Sequence, residues 1–391
     1  MNMAIPDYAN SSVLDQSKKD FFLFNSSSGL VRGDGISERI STPILSPTFN
    51  IEVQELFERE SKKGVKNPIL VGAIPFDMTQ PTQLFSPEFF QRTKPLKKQL
   101  AELTDNSFSH NVINYSFTPD NKQFLAMIEQ AISLFKTSDL KKVVLSKILE
   151  LKLDKPVNIS RLLTNIILQN PNAYHFNVPL ENSTLVGASP ELLLKKQGNH
   201  IYSNPLAGSA KRLPNKAADQ QASEELLISL KDQYEHRIVV DAIRASLTPL
   251  VKELNIPSQP SLISTPTMWH LSTKIEAILS SSNPTSVFDI IKKMHPTPAM
   301  CGTPTLLAHQ QIDKLEPHHR HFFSGLVGWC DSLGNSEWAI AIRCAEVSGN
   351  DVKLFAGAGV VPDSIPDIEW SETCSKMRTM MNAFGIKEGL L

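Results

Sequence analysis

The chain has 391 residues, 41% hydrophobic and 20% charged, a profile that supports a large buried core and excludes a disordered chain. Its 39 Lys and Arg balance 40 Asp and Glu, for a net charge of -1, so no nucleic acid is expected as partner and any anion bound is small and met by local groups. No apolar run approaches the roughly 18 residues of a membrane span. The start, MNMAIPDYANSSVLDQSKKD, lacks a basic segment followed by an apolar one, so it does not read as a secretion signal. Cys301, Cys330, Cys344 and Cys374 form no C-x-x-C pair and are too few for a disulfide framework, which fits a reducing cytoplasm.

About the first 50 residues are rich in Ser, Thr, Pro and Gly, with a turn signal at Gly33-Asp34-Gly35 and no firm element. NPILVGAIPFD (67–77) reads as a buried strand ending at a proline turn, and residues 83–111 are polar and uninformative. Phe124, Ile128, Ile132 and Phe135 recur at helical spacing, and the β-branched KKVVLSKILELKL (141–153) reads as a strand. ISRLLTNIILQN (159–170) is an amphipathic helix, followed by strand candidates AYHFNVPL (173–180) and STLVGAS (183–189) and a strand ending in SNPLAGSAKR (203–212). Residues 218–254 carry the longest helical pattern, with Leu226, Leu230, Ile238, Ile243, Leu247, Val251 and Leu254 near one phase and Pro249 expected to kink or divide it. GLVGWCD (325–331), EWAIAIRCAEV (337–347) and VKLFAGAGVV (352–361) read as strands, and a last helix after Pro366 turns Met377, Met380, Met381 and Phe384 inward. Strands and helices mixed without βαβ alternation predict an α+β fold with large antiparallel sheets flanked by helices, and no domain boundary is visible.

Two helical segments each place carboxylates three residues apart on one face: Asp232 with Glu235, and Glu369 with Glu372. Such pairs repel, and a magnesium ion would reverse the cost; solvated helix faces show the same spacing. Lys142 begins an apolar strand, where a dry amine can become a general base or simply keep a strand end in water. Glu191, in VGASPELLL, has apolar flanks that would raise its pKa into the range of a general acid; a helix-start carboxylate is the plainer alternative. The glycine runs Leu206-Ala207-Gly208-Ser209 and Ala356-Gly357-Ala358-Gly359 read as turns whose bare N–H groups can hold a carboxylate or merely close a sheet. Arg343 lies in an otherwise apolar strand, AIAIRCA, and needs an anion: a substrate carboxylate or a structural partner. His270 either meets substrate or sits bonded in the core; His318, His319 and His321 lack metal-ligand spacing of the H-E-x-x-H kind.

The blocks KKVVLSK, GASPELLL, PLAGSAKR, KDQYEH, TPTMWHLST, HPTPAMCG, GLVGWCD, IRCAEV, LFAGAGVVP and IEWSETCSK, in this order over roughly residues 120–390, resemble the chorismate-using enzymes, which include isochorismate, salicylate, anthranilate and aminodeoxychorismate synthases. KNPILVGAIPFD extends the likeness toward isochorismate synthases of catecholate siderophore pathways. The resemblance implies the anthranilate synthase component I-like fold, a sandwich of large antiparallel sheets with helices outside, in one large domain with a variable part (1–115) and a chorismate-binding catalytic region (116–391). It implies a magnesium-dependent isomerase that turns chorismate into isochorismate by adding water at C2 and expelling the C4 hydroxyl. Lys142 matches the family's water-activating base and Glu191 its general acid. Glu235 and Glu372 match the magnesium ligands, with Asp232 and Glu369 in an outer shell. Gly208, Ser209, Ala299, Arg343, Gly357 and Lys376 match substrate contacts, Arg343 and Gly357 near the enolpyruvyl carboxylate. Kinship further implies a product feeding 2,3-dihydroxybenzoate and catechol siderophores, with an isochorismatase acting next, and menaquinone as the other destination; the residues themselves point to the cytoplasm, and a monomer is the default expectation. Met300 replaces the leucine of those enzymes, which leaves a salicylate synthase, which also eliminates pyruvate, as one alternative; a non-catalytic chorismate-binding protein is the alternative from another class.

Overall fold

A computed structural model describes residues 21–96, 108–280 and 285–386. Its spine is the strand Lys142–Leu153, whose run of β-branched and leucine side chains is buried almost end to end. It pairs antiparallel with Asp351–Val360 over nearly its whole length and, on its other side, with Val112–Thr118 and the short Gly302–Thr303. From Asp351–Val360 this ten-stranded sheet continues through Cys344–Ser348, Thr184–Ser189, Tyr174–Pro179, Phe21–Ser26, Gly29–Asp34 and Phe89–Thr93. A nine-stranded sheet runs Val251–Asn255, Ile275–Leu279, His200–Asn204, Leu192–Gln197, Ser336–Ile340, Leu326–Asp331, Ile69–Ile74, Gln83–Ser86 and Glu38–Ile40. A third sheet, Leu206–Lys211, Met268–Ser272 and Ser261–Ser264, sits beside them.

The two large sheets pack face to face. Every residue of Phe21–Ser26 is buried because the ten-stranded sheet is covered on both sides. Phe22 and Phe24 join the core shared with the other sheet, where the Phe22 ring meets Phe85 edge-on at 6.4 Å. Phe21 and Leu23 join a second core under the helices Ile159–Gln169 and Pro366–Ala383, to which Met377, Met380, Met381 and Phe384 also turn. Each large apolar side chain so buried contributes on the order of 2 kcal/mol. This is the α+β arrangement of large antiparallel sheets and flanking helices that the residues predicted, packed as the sandwich that the resemblance implied. Among the described residues no helix is long and apolar enough to cross a membrane.

Four element boundaries differ from expectation. Residues 203–212 are not one strand: His200–Asn204 and Leu206–Lys211 lie in different sheets, parted at Pro205. The long helix over 218–254 is two helices, Lys216–Ile228 and Leu230–Leu247, followed by the strand Val251–Asn255. The break falls at Ser229, not Pro249. Extended at φ -62°, ψ 116°, Ser229 ends one helix and caps the next, its hydroxyl accepting from the Asp232 N–H at 3.3 Å. EWAIAIRCAEV is also two strands, Ser336–Ile340 and Cys344–Ser348, one in each large sheet. Finally, the second glycine run is no turn: Ala356, Gly357, Ala358 and Gly359 continue the strand Asp351–Val360. Beyond these boundaries, the described residues of the uninformative stretch 83–111 include the strands Gln83–Ser86 and Phe89–Thr93.

Candidate active site

The site forms where the chain twice steps from one large sheet to the other. Thr184–Ser189 leaves the ten-stranded sheet and re-enters the nine-stranded one as Leu192–Gln197, with Ser189-Pro190-Glu191 in the step. Ser336–Ile340 makes the reverse crossing to Cys344–Ser348 through residues 341–343. The two crossings brace each other: the Glu191 carbonyl accepts from the Ile340 N–H at 3.1 Å and the Arg343 carbonyl from the Ala188 N–H at 3.1 Å. Glu191 is therefore in a sheet crossing, not at a helix start. Arg343 is not within a strand but in the left-handed region at φ 50°, a costly conformation for a long side chain, held by these bonds.

Both side chains line one cavity. Around it stand Gly208, Ser209, Glu235, Ala299, Gly357, Glu372 and Lys376, so nine of the ten sequence-selected residues share one wall system. Gly208 and Ser209 come from the third sheet, where Ser209 lies opposite His270. Gly208 has φ +77°, and a Cβ there would lie 2.9 Å from the Asp232 Cβ, so only glycine lets this strand pass the helix Leu230–Leu247. Lys142, the tenth, is fully buried behind the wall, its amine 2.8 Å from Glu235 Oε1. Gly359 leaves room for this pair beside its strand, since a Cβ there would strike the Glu235 carboxylate and lie 3.0 Å from Lys142 Cε.

The electrostatics divide the groups by task. Burial pushes the Glu191 carboxyl up to about 8, against the opposing pull of the Leu206 N–H and of Lys142, Arg343 and Lys376, so it holds a proton at neutral pH. Burial brings Arg343 down to about 10, still cationic, with its Nε buried and lacking a hydrogen-bond partner among the described residues. Its Nη2 lies 3.4 Å from His270 Nε2. Burial, then Arg343 and Lys376, keep His270 neutral, well below the usual imidazole range. A cation facing a cavity with an unspent donor is a receptor for an anion. Lys376 bonds Glu372 at 2.5 Å and the Gly357 carbonyl at 2.9 Å, and it holds Glu372 below the usual carboxylate range despite burial. Burial and Glu372 raise Glu369, bonded to Lys231 at 3.1 Å, to about 7. Burial also raises Asp232, with Glu235 adding to the shift.

Sequence reasoning missed three supports of this site. Ser229 sets the phase of Asp232 and Glu235. His236, brought down to about 4 by burial, bonds the Ala207 carbonyl at 3.1 Å and the Thr273 hydroxyl at 2.7 Å, tying the same helix to the third sheet. Arg320, paired with Glu316, reaches the carbonyls of Met300 at 2.8 Å and Val144 at 2.6 Å, while Glu316 accepts from the Ser146 N–H at 2.7 Å. That buried pair joins the Lys142 strand to the segment bearing Ala299 and Met300. Arg320→Ala removes the charge partner of buried Glu316 and the guanidinium donor to both carbonyls, and urea unfolding is expected to show a loss of about 3–5 kcal/mol; a loss under about 1 kcal/mol would show the pair to be dispensable.

Comparison with known proteins agrees with this architecture. The family described as "Chorismate binding enzyme" matches residues 58–385. The isochorismate synthase EntC of Escherichia coli is 44% identical over 340 residues, 86% of each chain. The crystal structure of a putative 2,3-dihydroxybenzoate-specific isochorismate synthase, DhbC from Bacillus anthracis, superposes with a TM-score of 0.89 at 37% identity, covering 96% of this chain and all of the other. Anthranilate synthase component I from Streptococcus pneumoniae shares the fold, with a TM-score of 0.70 at 19% identity over 92% of this chain and 89% of its own.

Proposed function

Because the chain belongs to the chorismate binding enzyme family, we propose that it is an isochorismate synthase, a hydroxymutase that isomerises chorismate to isochorismate. The observation that carries this reading is the pairing, in one cavity, of a carboxyl that stays protonated at neutral pH with an amine-backed carboxylate cluster. Chorismate carries two carboxylates. Arg343, with its unmet Nε, and the Gly357 strand receive one. The carboxylate-rich side, Glu235 and Glu372, fits magnesium. Among the described residues no three metal-ligating side chains gather into a ready centre, yet burial, with Glu372 adding at Glu369 and Glu235 adding at Asp232, raises both carboxyls, and a cation nearby would favour their charged forms. Magnesium asks for few protein carboxylates and keeps waters and a ligand oxygen, so Glu235 and Glu372 would hold it, with Asp232 and Glu369 outside them, and it would supply positive charge for the second substrate carboxylate.

Lys142, in its neutral form, then takes a proton from the water that adds at C2, and Glu191 gives its proton to the hydroxyl leaving C4. Gly208, Ser209 and Ala299 shape the wall against the ring. No electrons are exchanged, so no redox cofactor is required. The resemblance to the dihydroxybenzoate-specific structure supports a role ahead of catechol siderophores, with an isochorismatase consuming the product. The four cysteines, all free and buried, support a reducing cytoplasm. The protein is taken to act as a monomer.

The test is to incubate the purified protein with chorismate and magnesium and separate the products. Isochorismate alone is expected. Salicylate with pyruvate would make the enzyme a lyase, with the flexible Met300 in the cavity wall as the residue to examine. Absence of turnover would leave a binding protein.

A further inference from the structure

Lys147 lies on the same strand as Lys142 but five residues on, hence on the opposite face, away from the cavity. It is fully buried, and no carboxylate among the described residues pairs with it. Its amine instead stands 2.9 Å over the Trp370 ring, with Phe117 at 5.0 Å and Phe124 at 5.5 Å. Its nearest polar neighbours are the Cys374 sulfur at 3.1 Å and the Trp370 carbonyl at 3.5 Å. An amine and a free thiol are thus held in contact inside an aromatic box.

We infer that Lys147 and Cys374 form an oxidative modification site, joined by a reversible S–O–N cross-link when the protein meets peroxide. The thiol gives two electrons to one hydrogen peroxide and becomes a sulfenic acid. The amine gives two to a second peroxide and becomes a hydroxylamine. The hydroxylamine oxygen then bonds sulfur as the sulfenic hydroxyl leaves as water. One thiol, one amine and two peroxides give one bridge and three waters. A single bridging oxygen suits the present separation, whereas a direct S–N bond would require the strand and helix to close by about a bond length. Burial brings Lys147 down to about 8, which leaves a share of the amine neutral and nucleophilic near neutral pH. The link would pin the helix Pro366–Ala383 to the spine strand within two residues of both Glu372 and Lys376.

The experiment is peptide mass spectrometry of the intact wild-type protein after mild peroxide treatment, and it does not depend on the reaction catalysed. The expected product is a Lys147–Cys374 peptide pair that has gained one oxygen and lost two hydrogens, and that separates on treatment with dithiothreitol. Lys147→Arg keeps a cation over the Trp370 ring but blocks the bridge, and in it Cys374 is expected to proceed to sulfinic acid instead. Cys374 found unmodified, or oxidised in wild type with Lys147 free, overturns the inference.

Discussion

Glu191→Gln is expected to lower kcat by about 10²–10⁴-fold with KM nearly unchanged. The amide keeps the carboxyl's shape and can still accept from the Leu206 N–H, but it has no proton to give. The pH dependence separates this role from a packing role. Burial raises Glu191 from 4.5 to about 8, so the wild-type kcat should hold as pH rises toward that value and fall beyond it, as the acid loses its proton. Between those two values the folded chain binds more protons at this group than the unfolded chain does. Its contribution to stability is therefore greatest at low pH and declines as pH rises through the window. Glu191→Gln should remove both the basic limb of the rate profile and this component of the stability profile. A variant turning over at near the wild-type rate, or one with the same basic limb, would assign the proton donor to another group.

Physical reasoning singled out eight of the ten selected residues as candidates, each beside a plainer alternative; block resemblance added Ala299 and Lys376 and assigned the roles. The unmet charge of Arg343 was readable, since an arginine among apolar neighbours needs an anion, but its setting was not. AIAIRCA contains no glycine or proline to mark the crossing, and the chain there adopts φ 50° only because bonds from the neighbouring crossing hold it. At Ser229 the apolar phase runs on through the break and hides it. The signal that could have found it is local: Ser229 followed by Asp232 three residues later is the start pattern of a capped helix. The AGAG run misled in the other direction. Glycine there serves not a turn but the close approach of Lys142 and Glu235 to a strand, a tertiary demand with no local mark. The two-sided burial of Phe21–Ser26 was likewise a property of layers that only the assembled sheets reveal.

Lys142→Ala and Lys142→Arg are both expected to lower kcat by about 10²–10⁴-fold, and their comparison separates a base from a fixed charge. Arginine keeps a cation for Glu235 but does not give up its proton in a protein, so it cannot take one from water. If charge alone mattered, Lys142→Arg would retain turnover, and the base would have to be sought elsewhere. In Lys142→Ala the Glu235 carboxylate loses the amine now 2.8 Å away. Its side chain is 12% exposed, so water reaches it and the destabilisation should stay below the about 3–5 kcal/mol of a broken, fully buried pair. The same deletion removes the cation that competes for Glu235. Magnesium should then raise the melting temperature of Lys142→Ala more than that of wild type, a shift readable in the absence of catalysis. An equal or smaller rise would mean that Glu235 does not take part in holding the metal, and would move the cation site toward Glu372 and Glu369.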